Sequence, residues 1–286
     1  MSTPARAGRA RLVTFALVVV GLGVTAYAIG NAVGGESSAS HDHSGSTASG
    51  SHDHSSHEHI TSKPVAPSEE SNGYRIESPS ASTFRIVDAD GAPVTAYTEA
   101  HGALLHVIVV RPDLSDFRHV HPTIGADGTW TLDAPDTGEW HVVFEALPAD
   151  SADAVVVSTS IGSPDGAEPT ALPAPRDREA VATDDGSLLN VTLARSLVGV
   201  DTSLSFSITR PDGSTPDGLE AYLGQAAHLV AFDVDDLSYL HIHPTSAVGE
   251  SLISFSGTLP AGGTYRLFLQ FGHRGEVVTV PFTLYT

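Results

Sequence analysis

Twelve of the fifteen histidines in this 286-residue chain fall into repeated patterns whose residue types suit transition-metal chemistry. His106 is followed thirteen residues later by His119-Val120-His121-Pro122, and His228 by His241-Ile242-His243-Pro244. The other six form His-acid-His units: His41-Asp42-His43, His52-Asp53-His54 and His57-Glu58-His59. Imidazole suits divalent ions such as Zn(II), Cu(II) and Ni(II). Cysteine is absent and the single Met is Met1, so thiolate chemistry, disulfides and soft Cu(I) ligands are excluded. A metal held here would be held by nitrogen and oxygen.

The two His-x-His-Pro motifs belong to one duplicated segment. LLHVIVVRPDLSDFRHVHP, Leu104 to Pro122, aligns without gaps on AAHLVAFDVDDLSYLHIHP, Ala226 to Pro244. The match continues with GEWHVVFEA at Gly138 against GTYRLFLQF at Gly263. Upstream, TFRIVDADGAPV at Thr83 resembles LSFSITRPDGSTP at Leu204, each breaking at an Asp-Gly turn.

To bring the histidines together, residues 104–110 and 117–121 must form an antiparallel hairpin around the loop RPDLSD. Val110 then faces Phe117, Ile108 faces His119 and His106 faces His121. Alternation puts all six on one face, with opposed Cβ atoms about 4.5–5.5 Å apart. The same register in the second repeat gathers His228, His241 and His243 beside Val230, Phe232 and Tyr239. Three imidazoles with a fourth position open suit Zn(II) or Cu(II). A cluster of histidines that only fixes a strand end by hydrogen bonds would repeat just as faithfully, and Leu105, Val107 and Val109 are as apolar as the residues beside the histidines, so the core face stays open.

Short runs rich in Val, Ile, Leu, Phe and Thr recur about every ten residues between Gly, Pro, Asp and Ser clusters, the pattern of an all-β protein. The expected fold is two immunoglobulin-like β-sandwich domains, 74–162 and 179–286, joined by a Pro-rich linker, 163–178. Residues 31–73 are poor in aliphatic side chains and read as a disordered, His-rich tether, whose six histidines form a weaker candidate site. Ahead of it, the uncharged run 12–30 follows Arg6, Arg9 and Arg11 and fits a signal peptide or a retained transmembrane anchor, with the domains outside the cytoplasm, or secreted if cleaved at Ala26-Tyr27-Ala28.

Acids outnumber Lys and Arg by 34 to 14, a net charge of -20, which disfavours nucleic acid as a partner. Among other polar residues, His101 and His141 align with Leu223 and Arg266, so they are at most extra ligands of the first repeat. His273 exists only in the second and reads as an exposed loop residue. Trp130, Trp140 and Tyr265 read as packing residues. No Asp, Glu or Tyr repeats beside both triplets as a general base, and neither half carries a nucleophile motif, so no enzyme is expected.

The stretches LHVIVVRPDLSDFRHVHP, GEWHVVFEA, LEAYLGQAAHLVAF, DLSYLHIHP and GTYRLFLQFGHRGEVVTVPF resemble a group of secreted or membrane-anchored bacterial proteins, common in actinobacteria, described as heavy-metal-associated. The resemblance runs from about Thr83 to the C-terminus. Trp140-His141 stands where that group usually has Tyr-Arg, which leaves the role of His141 open. A looser similarity to extracytoplasmic copper-binding β-sandwiches concerns architecture alone. The expected function is non-enzymatic binding, buffering or delivery of divalent metal ions, Cu(II) or Zn(II), at the cell membrane, with a metal transporter or oxidase as a possible partner. The competing expectation is a surface-anchored interaction module whose histidines are structural.

Overall fold

The computed structural model describes residues 63–286 except 81, 134, 136, 165, 167, 199–200 and 258. The run 12–30 and the six histidines from His41 to His59 lie outside the described residues. Among the described residues no helix is long and apolar enough to cross a membrane, and all named elements are strands.

Among the described residues, each domain is built from nine strands in the same order. The first contains β1 (Glu70–Ser71), β2 (Tyr74–Ser80), β3 (Thr83–Val87), β4 (Tyr97–Thr98), β5 (Leu105–Val110), β6 (Phe117–Val120), β7 (Trp130–Thr131), β8 (Glu139–Pro148) and β9 (Val155–Gly162). The second contains β10 (Arg178–Ala182), β11 (Leu188–Val198), β12 (Asp201–Thr209), β13 (Leu219–Glu220), β14 (His228–Asp233), β15 (Tyr239–Ile242), β16 (Leu252–Gly257), β17 (Thr264–His273) and β18 (Glu276–Tyr285). Sheet β1-β2-β3-β7 faces a five-stranded sheet of order β4-β8-β5-β6, with β9 also on β8. The second domain repeats this as β10-β11-β12-β16 against β13-β17-β14-β15, with β18 on β17. All pairings are antiparallel, and the two domains are the expected immunoglobulin-like sandwiches.

The alternation of side chains along β5 explains why the core face could not be chosen in advance. Leu105, Val107 and Val109 enter the first domain's own core with Phe84, Trp130 and Phe144. Ile108 and Val110 point the other way, into a third apolar cluster shared with Val230, Phe232, Tyr239 and Phe268 of the second domain. Both faces of β5 are therefore buried, and its burial is continuous along all six residues. A strand buried on both faces loses the in-and-out pattern of a surface sheet.

The segments flanking the first domain also join the two. Residues 63–73 were assigned to the tether from composition, yet β1 lies there, and Val65 exchanges two backbone hydrogen bonds with Tyr239, at 2.7 and 2.8 Å. Ser158 N donates to Ser68 O at 2.7 Å. In the linker, Thr170 N donates to Asp113 Oδ2 at 2.7 Å and Leu172 packs on the shared cluster.

Replacing Phe232, fully buried in that cluster, by Ala should cost about 3–5 kcal/mol. Both tryptophans, Trp130 and Trp140, belong to the first domain, so their fluorescence in urea reports whether a deletion in the second domain shifts unfolding of the first. An unchanged midpoint would show that the shared cluster does not couple them.

Candidate metal centre

The hairpin register matches the spacing argument. Val110 pairs with Phe117 and Ile108 with His119, and in the repeat Val230 pairs with His241 and Phe232 with Tyr239. Each motif accordingly collects its three imidazoles, on the face turned toward the other domain. His106 Nδ1, His119 Nε2 and His121 Nε2 stand at 3.1 Å from one another. In the second centre His228 Nδ1 lies 3.1 Å from both His241 Nε2 and His243 Nε2. His106 is 2% exposed and His119 9%, whereas His228, His241 and His243 are 0%, 0% and 6% exposed, so only His121 has appreciable access to solvent.

What the outer nitrogens do decides what the inner ones can be. His106 Nε2 lies 3.0 Å from the carbonyl of Ala100, and His228 Nε2 lies 3.0 Å from that of Tyr222. A carbonyl only accepts, so these nitrogens carry the hydrogen and Nδ1 of each neutral ring presents a lone pair. His119 Nδ1 donates to Gln270 Oε1 at 2.8 Å, an amide orientation consistent with the bond from Gln270 Nε2 to Thr279 Oγ1. His241 Nδ1 donates to Glu145 Oε2 at 3.0 Å, and Tyr239 Oη–H donates to the same oxygen at 2.8 Å. In each centre, then, two lone pairs face each other across 3.1 Å. An N–H from His121, within 3.1 Å of both, an N–H from His243, 3.1 Å from His228 Nδ1, or a cation relieves that repulsion.

The three nitrogens of the first centre also fit an ion. At about 2.0–2.1 Å from each, an ion would sit about 1 Å off their plane with N–metal–N angles near 100°, leaving its far side free for a fourth ligand. Burial and the neighbouring imidazoles disfavour protons: burial first, then His106, lowers the His121 pKa to about 4, and burial, His106 and other neighbours lower that of His228 to about 3. His119 and His241 are pushed well below the ordinary imidazole value by burial and then by the other rings, and His243 falls in the same direction. Burial raises the Glu145 pKa, against the pull of His106 and the bond from Tyr239.

The two centres are adjacent. The His106 and His241 rings are 5.1 Å apart between centroids, and His119 and His241 5.4 Å. The turns that supply the Ala100 and Tyr222 carbonyls, Ala100–Ala103 and Tyr222–Gln225, are equivalent and touch across the interface. Gly102 has φ +81°, and a Cβ there would fall 2.7 Å from Leu223 O. A cavity of about 280 Å³ opens beside them, with His101, His106 and Glu145 in its wall.

Three other histidines lie outside both triplets. His101 is not a ligand of the first triplet; its ring stacks on His243 of the second, centroids 3.5 Å apart. His141 sits opposite Val110, with Nε2 buried and unpartnered, and joins neither triplet. His273 is no exposed loop residue: it closes β17 at 2% exposure, because Leu219 of β13 pairs alongside it. Trp130, Trp140 and Tyr265 are buried, as expected of packing residues.

Glu145 and Gln270 were missed. A signal existed: each is the polar residue within an otherwise apolar stretch of β8 or β17, VVFEA and LFLQF, and the two occupy the same column of the duplication. Glu145 pairs with His106 and Gln270 with His228, which confirms the equivalence.

The family described as "Domain of unknown function (DUF8832)" matches residues 68–157 and 181–286, one segment in each sandwich. The chain belongs to that family. No curated protein sequence matches it. Among solved structures, a two-domain fibronectin type III segment of chicken tenascin is similar over 74% of this chain and 97% of its own, at 13% identity and a TM-score of 0.23. The chicken interferon gamma receptor alpha chain is similar over 77% and 98%, at 12% identity and 0.25.

The lowered imidazole pKa values make metal-free stability depend on pH. Below the unfolded value of about 6.5, the unfolded chain binds more protons than the native one, so stability rises with pH. The contribution of His119, His121, His228 and His241 is complete above about pH 7 and is lost as pH falls through 6.5 toward their native values, about 4 for His121 and about 3 for His228. Glu145, shifted upward, opposes this near its own titration but is one group against four. Thermal melts of the metal-free protein should therefore fall between pH 7 and pH 4.5, and a flat profile would contradict the burial of these rings.

Proposed function

We propose that this protein is a non-enzymatic, extracytoplasmic binder of a divalent transition metal, Cu(II) or Zn(II), with one ion held by His106, His119 and His121 and a second by His228, His241 and His243. The observation that carries the reading is the set of inner nitrogens: lone pairs held 3.1 Å apart, with their tautomers set by acceptors on the outer side. Metal-binding imidazoles are commonly held in this way, by a carbonyl or carboxylate on the second nitrogen.

In this reading His41, His43, His52, His54, His57 and His59 collect ions near the membrane, and the buried centres hold them or pass them to a transporter or oxidase. The heavy-metal association of the bacterial group that the sequence resembles agrees with it. Glu145, the acid at the centres, accepts bonds from both His241 and Tyr239.

The test is the metal content of the full chain with the six tether histidines replaced by Ala. Two equivalents of Zn(II) or Cu(II) are expected, falling to one in His121→Ala or in the triple variant of His106, His119 and His121. Unaltered uptake in both would sink the assignment. The rival structural role makes a different forecast: the triple variant would then lose stability equally with and without metal.

A further inference from the structure

We infer that the two centres are unequal, and that Glu145 and Gln270 rank them so that the His228–His241–His243 centre fills first and the His106–His119–His121 centre second. The inference rests on the metal-binding reading above and deepens it.

The two positions are equivalent in the duplication, yet each serves the opposite domain. Glu145, on β8, reaches His241 of the second domain; Gln270, on β17, reaches His119 of the first. The geometry is otherwise matched, since both acceptors hold the Nδ1–H of the first histidine in the His-x-His motif. What differs is charge. A carboxylate taking that hydrogen strengthens the lone pair on the opposite ring nitrogen and places a negative charge one imidazole away from a dication. An amide oxygen supplies only a dipole.

Burial enlarges the difference. His228 and His241 are fully buried, so the attraction between the ion and Glu145 is less screened than it would be at the surface. Tyr239 fixes the accepting oxygen with its own bond. On the other side, Gln270 is braced by Thr279, and the partly exposed His121 leaves the first centre nearer solvent. The second centre is thus suited to retention and the first to exchange. Changes in such outer partners shift metal affinity by about 10–100-fold, which sets the expected gap.

The test uses the full chain with the tether histidines replaced by Ala, titrated with Zn(II) against a chromophoric chelator. Two steps separated by about 10–100-fold are expected. Glu145→Gln should bring the tighter step toward the weaker one, and Gln270→Glu should tighten the weaker step by a similar factor. The double exchange should reverse the order, with His121→Ala or His243→Ala added to identify which centre each step belongs to. A gain in Gln270→Glu is not something a loss of structure could produce. Two equal steps in the unexchanged chain, or a tight step that survives Glu145→Gln, would overturn the ranking while leaving the metal reading intact. No Zn(II) bound at either centre would overturn both.

Discussion

His119 donates its Nδ1–H to Gln270, His241 donates its own to Glu145, and both bonds cross from one domain to the other. Each does two things at once. It fixes the tautomer that turns Nε2 toward its triplet, and it ties that triplet to the neighbouring domain. Neither centre is complete within one sandwich, although all three imidazoles of each come from one hairpin. The apolar cluster shared by Ile108, Val110, Val230, Phe232 and Phe268 supplies the dry surroundings in which such bonds count for more than they would in water.

That dryness also governs protonation. Desolvation leads the causes that lower the imidazole pKa values, with the other rings adding to it. A group of lone pairs crowded together and kept from protons is under electrostatic tension, which one shared hydrogen relieves only in part.

Much of this was legible in the residues. The hairpin register followed from the thirteen-residue spacing and from period-two alternation alone, because a one-residue slip would have sent the histidines to the other face. The sandwich architecture followed from the run lengths. The face that bears the histidines was not legible, since β5 and β14 are apolar on both sides and composition cannot say which side meets its own sheet and which meets another domain. The order of residues 65–73 was hidden for a related reason: backbone bonds to Tyr239 and Ser158, not side-chain hydrophobicity, hold that segment. His273 misled because its loop composition, GHRGE, does not reveal that a short partner strand covers it.

The reciprocal bonds have the form of an isologous interface, in which residue i of one unit meets residue j of the other and j meets i. In a symmetric dimer of identical chains such a pair must be the same residue twice. Covalent linkage of the two halves removes that obligation. Here the freedom is visible in three columns: Glu145 against Gln270, His101 against Leu223, and Ala100 against Tyr222. The linker from 163 to 178 therefore does more than join two sandwiches; it makes asymmetry heritable, letting each half specialise without spoiling the other.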